Sequence, residues 1–205
     1  MKEQFSVLEI NRHRMKTDGK GITTLVALAG CPLSCPYCIN KEALARQLYR
    51  REMTPKELVE ELAVDHCYFL YTGGGVTFGG GESLLHAPQI QEFSKLCPEE
   101  WNINIETSLN VPRELLEPIA NERFCFIIDV KAMQPERYLA YTGEENTRVK
   151  ENLCYLMERL PQENYVVKVP QIPNFCEKEE VEESVELLLK MGVPKENIVT
   201  FCYVI

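Results

Sequence analysis

The chain has 205 residues, a formal net charge of −9 and a hydrophobic fraction of 45%. That length supports one substantial domain with a real core, so one domain over residues 1–205 is expected. There is no apolar run long enough for a membrane span, and the opening Met-Lys-Glu-Gln-Phe carries charges where a leader needs apolar residues, so a cytoplasmic protein is expected. The acidic balance disfavours a nucleic-acid partner.

The pattern alternates strand and helix. Residues 23–29 are apolar and β-prone, and 41–50 and 55–64 read as helices, the second with Pro55 at its start and Thr54 as the candidate cap. A short strand follows three glycines at 76–78, and a helix covers 86–96. Ile103 and Ile105 alternate in a strand over 102–106, and a helix is expected over 112–121. Residues 124–130 are almost continuously apolar, as suits a buried parallel strand. Helices over 135–141 and 147–160 precede a strand at 165–169. A helix over 177–191, acidic in its first half, leads to a last strand at 198–204.

Six strands alternating with helices predict parallel βαβ units with right-handed crossovers. Six are too few for a closed eight-stranded barrel. The expected fold is therefore α/β, a partial (β/α)6 barrel, with a doubly wound open sheet as the alternative. In such a barrel, sites gather at the C-terminal ends of the strands. The distinctive segments all fall there: the cysteine loop after the first strand, Gly79–Glu82 after the second, Glu106-Thr107-Ser108 after the third, Asp129-Val130-Lys131 after the fourth and Lys168-Val169-Pro170 after the fifth.

The sharpest signal is Gly30-Cys31-Pro32-Leu33-Ser34-Cys35-Pro36-Tyr37-Cys38. Pro32 and Pro36 favour a loop, which wraps thiolates around a metal centre more easily than a regular element does. A closed structural site takes four protein ligands, so a compact set of three leaves one position open. A zinc knuckle completed by His66 or Cys67, or three core thiols, are the other readings. The pattern Cys-x3-Cys-x2-Cys, with an aromatic residue before the last cysteine, resembles the radical S-adenosylmethionine (SAM) superfamily. The resemblance implies a partial barrel and a [4Fe-4S] cluster on Cys31, Cys35 and Cys38, with SAM on the fourth iron. It also implies oxidoreductase chemistry: reductive cleavage of SAM to methionine and a 5′-deoxyadenosyl radical that abstracts hydrogen.

The run Gly73–Glu82 lacks the Lys-Ser or Lys-Thr of a phosphate loop. It resembles the Gly-Gly-Glu motif of the same superfamily, which implies that Gly79, Gly80, Gly81 and Glu82 hold the methionyl amine of SAM. With Asp18-Gly19-Lys20-Gly21-Ile22 and Asp129-Val130-Lys131 it is similar, more narrowly, to the activating enzymes of glycyl radical enzymes. That likeness implies a monovalent cation held by Glu106, Thr107 and Asp129 beside the SAM carboxylate, with Lys131 close by. Hard cations do take oxygen ligands. It also implies that Tyr37, Asn40 and Lys168 lie near the cofactor. The partners it implies are a glycyl radical enzyme and a flavodoxin or ferredoxin as reductant. A radical SAM enzyme acting on a peptide or small molecule, of deazaguanine-synthase size, is the alternative; a non-catalytic metal-binding protein is a third.

Departures from the pattern concern the partner more than the chemistry. The family's Asp-Gly-Pro-Gly-x-Arg reads Asp18-Gly19-Lys20-Gly21-Ile22-Thr23, and Tyr-His reads Tyr203-Val204. A pocket more open than the family's is expected. Cys67, Cys97, Cys125, Cys154, Cys176 and Cys202 are dispersed singly and are expected to be buried thiols in a reducing compartment. So oxidisable a composition fits an anaerobic life. His13, His66 and His86 are expected at the surface or at helix ends.

Overall fold

The computed structural model describes residues 4–15, 17–46 and 50–203. Its strands are β1 (Phe5–Met15), β2 (Ile22–Leu28), β3 (Arg51–Met53), β4 (Gly75–Gly80), β5 (Asn102–Thr107), β6 (Phe124–Asp129), β7 (Tyr165–Gln171) and β8 (Ile198–Cys202). They form one sheet in the order β3-β1-β2-β4-β5-β6-β7-β8. From β2 to β8 every pairing is parallel, which gives the six strands of the partial barrel. β1 joins β2 antiparallel, and β3 joins β1 antiparallel, so the sheet is longer by two strands than the pattern predicted.

The helices are α1 (Lys41–Arg46), α2 (Pro55–Leu62), α3 (His66–Thr72), α4 (Ala87–Leu96), α5 (Arg113–Leu116), α6 (Pro135–Thr142), α7 (Thr147–Met157) and α8 (Lys178–Lys190). α2 starts on a full capping box, in which Thr54 and Glu57 satisfy each other's backbone N–H groups. α8 has a similar box made by Glu177 and Glu180. The helix expected over 112–121 shrinks to α5 and a 3-10 turn at Glu117–Ile119, because Pro118 carries no N–H for a longer ladder. Part of the helix expected over 41–50, residues 47–49, lies outside the described residues, as does the end of the last expected strand.

Strand residues alternate between two layers. On the outer face, Phe78 stacks on Phe5 at 5.5 Å and meets Phe93 of α4 edge-on at 5.2 Å, while Trp101 meets Phe69 of α3 at 5.1 Å. All five rings are buried, each contributing roughly 1.5–3 kcal/mol by leaving water. The inner face is polar. Register puts Thr77 beside Leu25 and Asn104, and Asp129 beside Lys168. The loop between β1 and β2 closes the N-terminal end of this interior. Thr77 Oγ1 donates to the Asp18 carbonyl, Asn104 Nδ2 donates to Thr77 Oγ1 at 3.2 Å, and Lys168 Nζ donates to the Thr17 carbonyl at 3.1 Å. The opposite end is left for the site.

Candidate active site

The three cysteines occupy the loop that leaves β2. Cys31 is exposed, Cys35 and Cys38 are half-buried, and none is in a disulfide. The loop's root packs directly on the exit of β4. The N–H groups of Gly81 and Glu82 donate to the carbonyls of Leu28 and Gly30 at 2.9 and 2.7 Å. A methyl group at Gly81 would lie 2.1 Å from the Gly30 oxygen, so only glycine allows this approach. Asn40 Nδ2 donates to the Gly80 carbonyl at 2.9 Å, joining two of the predicted cofactor-binding positions. Tyr37 lies on the core side of the loop, where its hydroxyl accepts from Asn174 Nδ2 at 3.3 Å.

Glu82 is buried, and its carboxylate ties the exits of β4 and β5 together. Oε1 accepts from Leu84 N–H at 3.1 Å and from the Thr107 hydroxyl at 2.7 Å. Oε2 accepts from Ser108 N–H at 2.9 Å and from the Ser108 hydroxyl at 2.7 Å. The side chain of this predicted cofactor residue is thus committed to holding the loop.

Glu106 and Asp129 both face the barrel interior. β5 and β6 pair Glu106 with Ile127, and Asp129 stands two residues further on the same face. Thr107, next along β5, points the other way, to Glu82. Of the predicted cation set the structure therefore brings together two side chains and directs the third elsewhere. Glu106 lies against Gly79, where an added methyl group would come within 2.3 Å of its Oε2. Burial, reinforced by Asp18 and opposed by Lys168, raises its pKa to about 7. Lys131 Nζ donates to Asp129 Oδ2 and, at 3.1 Å, to the Tyr203 hydroxyl. Burial pulls its pKa down, but Asp129 and these bonds prevail and hold the ammonium charged. Asp129 Oδ1 is buried without a partner among the described residues.

A family model for the radical SAM superfamily matches residues 25–205. The chain belongs to the radical SAM superfamily. The pyruvate formate-lyase 2-activating enzyme of Escherichia coli K12 is 25% identical over 95% of this chain and 76% of its own length. A pyruvate formate-lyase-activating enzyme of Clostridium pasteurianum is 34% identical over 62% of this chain and 53% of its own. The chain thus spans about half to three-quarters of these relatives. Among solved structures, Streptococcus suis SuiB bound to S-adenosylmethionine superimposes with a TM-score of 0.63 at 14% identity, over 88% of this chain and 38% of SuiB. That likeness concerns the fold.

Radical SAM membership carries a [4Fe-4S] cluster and SAM with it, and the donor set fits them. Cys31, Cys35 and Cys38 are three free thiols on one loop, a donor set that could take three irons of such a cluster. The backbone at Gly79–Gly81 and the unpartnered Asp129 oxygen sit at the same end of the barrel.

Other residues enter the site without a sequence signal strong enough to select them. Arg14 donates to the buried Asp18 carboxylate beneath Glu106. Tyr138 and Tyr141 of α6 stand one turn apart, both buried, beside the cysteine loop. Only their three-residue spacing ahead of Thr142-Gly143 marked them. The histidines are not ligands of the site. His86 stands, as expected, at a helix end, the N-cap of α4, but buried, with Nε2 2.9 Å from the Ala29 carbonyl oxygen, and His66, which opens α3, accepts at Nδ1 from Trp101 Nε1 at 2.8 Å. Of the six other cysteines only Cys97 and Cys176 are buried. Cys67, Cys154 and Cys202 are exposed, the last on the edge strand β8, and Cys125 is half-buried.

Proposed function

We propose that this radical SAM enzyme activates a glycyl radical enzyme by abstracting hydrogen from a backbone glycine of its partner. The support is the convergence of the cysteine loop, the Gly79–Glu82 exit, Glu106 and the Asp129-Lys131 pair at one barrel end, in a chain whose relatives bear activating-enzyme names. When bound, the reduced cluster and SAM supply a carbon-centred radical. The protein's part is to hold and orient. Cys31, Cys35 and Cys38 would hold the cluster, Asn40 fixes the Gly80 carbonyl, and Lys131 keeps one oxygen of Asp129 in place while the other stays available. An oxygen-labile centre of this kind suits the cytoplasm, with flavodoxin or ferredoxin as electron donor.

The test is to reconstitute the cluster without oxygen and add SAM, dithionite and a glycyl radical enzyme encoded beside this chain. We expect 5′-deoxyadenosine together with the doublet electron paramagnetic resonance (EPR) signal of a glycyl radical. If 5′-deoxyadenosine forms but the doublet does not, the substrate is another peptide or a small molecule.

A monovalent cation between Glu106 and Asp129 is part of the same reading. It makes a thermal prediction. The unfolded chain's glutamate titrates near 4.5, whereas folded Glu106 titrates at about 7. The folded state binds this proton more tightly, so the group costs nothing at low pH. It then removes on the order of 3 kcal/mol of stability as pH rises from about 4.5 to 7. Melting should therefore weaken over that window, and potassium, but not tetramethylammonium, should recover part of the loss at pH 8. The variant Glu106→Gln should flatten the profile and lose the response to potassium. An unchanged profile in that variant would refute the assignment.

A further inference from the structure

Tyr203, just beyond β8, reaches back into the site. Its N–H donates to the Gln171 carbonyl at 3.0 Å, so the backbone still follows β7 there. β7 lies between β8 and β6, and the Tyr203 side chain spans it to meet Lys131, two residues past the end of β6. Lys131 Nζ donates to the Tyr203 hydroxyl at 3.1 Å and stands 5.6 Å from the ring centroid. A further hydrogen bond joins that hydroxyl to the hydroxyl of Tyr141, which is buried and meets Phe175 edge-on at 5.1 Å. Phe201, two residues back along β8, tilts against the Tyr203 ring at 5.8 Å. The phenol is thus held at its ring and at its oxygen.

An ammonium has three N–H donors in a tetrahedral array. A single bond, to Asp129, would let the group turn about that bond. Tyr203 supplies the second bond, and two bonds together fix the direction of the third N–H. The Lys131 side chain is 12% exposed, which leaves water little part in setting that direction. Tyr203 therefore carries the placement of the last strand to the Asp129-Lys131 pair on the far side of β7.

We propose that Tyr203 is a positioning residue for SAM: it holds the Lys131 ammonium so that the third N–H is presented to an acceptor oxygen of the bound cofactor. The inference rests on the placing of SAM beside Asp129 and Lys131 in the reading above, and not on which substrate the enzyme takes. Tyr203→Phe removes the oxygen and keeps the ring, so it tests the bond and not the packing.

The experiment is calorimetry of SAM binding to anaerobically reconstituted protein with its cluster oxidised, in which SAM binds without being consumed. Wild type, Tyr203→Phe, Lys131→Met and the double variant are compared at matched iron and sulfide. Tyr203→Phe should raise the Kd about fivefold, the size of effect expected of one hydrogen bond. Lys131→Met should raise it further, and adding Tyr203→Phe to Lys131→Met should change nothing more, because residues acting through one another are not additive. An unchanged Kd in Tyr203→Phe, or the same fivefold loss with Lys131 already absent, would overturn the inference while leaving SAM beside Lys131. A normal Kd in Lys131→Met would remove SAM from that position, and the inference with it. Should a variant fail to take up iron, the wild type decides. In the whole chain before reconstitution, with 15N-labelled lysine, one ammonium signal should show a cross-peak to the Tyr203 ring protons, and its absence would refute the bond.

Discussion

Cys35→Ala protein, reconstituted anaerobically with iron and sulfide, should fold yet hold no intact [4Fe-4S] cluster, and its 5′-deoxyadenosine production should fall to background. Cys35 is the middle ligand of the loop and half-buried. Burial pushes its thiol up to about 11, against the pull of Lys131, and raises Cys31 as well. At neutral pH the free protein therefore presents thiols. Iron binds thiolates, so loading must release protons and should speed up between about pH 7 and 9. Alanine offers no such site. Removing one half-buried thiol opens little space, so the loss of activity would not be a loss of fold. Matched melting curves of the two iron-free proteins check that point. Cys67→Ala, Cys154→Ala and Cys202→Ala should keep full iron, because these thiols are exposed and far along the chain from the loop. Normal iron and activity in Cys35→Ala would remove the basis of the whole site.

The cysteine loop and the alternation of strands and helices were legible because each is written locally. Prolines mark the loop, and apolar runs such as Phe124–Asp129 mark strands buried on both faces. β1 was not legible for an equally local reason. Its apolar alternation, clear at Phe5 and Val7, slips where the register shifts between Asn11 and Arg14 around His13, which has φ +57°. The following Arg-His-Arg then reads as polar coil. β3 is a charged three-residue edge strand, which is how edges are protected and also why they look like loop. α3, His-Cys-Tyr-Phe-Leu-Tyr-Thr, is mostly weak helix formers, and the one residue it buries, Phe69, packs on Trp101. In the site, strand alternation separates Thr107 from Glu106, although adjacency in sequence made them look like one ligand pair. The wall formed by Tyr37, Tyr141 and Phe175 joins segments more than a hundred residues apart and leaves no local trace.

Glu82→Gln should lower the melting temperature by about 5–15 °C and raise KM for SAM, although the substitution keeps size and shape. Each carboxylate oxygen of Glu82 accepts one backbone N–H, from Leu84 on one side and from Ser108 on the other. Hydroxyls can rotate to suit a new neighbour, but these two N–H groups cannot. An amide has one accepting oxygen, so whichever way Gln turned, its NH2 would face an N–H. One buried donor would lose its partner outright, and a charge-assisted bond would become a neutral one, for roughly 2–4 kcal/mol in all. In a chain of this size each kcal/mol is worth about 2–4 °C. The damage would not stay at Glu82. Thr107 and Ser108 close β5, while Gly81 and the Glu82 N–H grip the root of the cysteine loop. Loosening the carboxylate therefore frees the exit of β4 to move against both. A variant that lost stability through this tie alone should still take up iron on its three cysteines, but bind SAM weakly. Melting within about 2 °C of wild type, with KM unchanged, would show that the four bonds to Glu82 do not hold the site together.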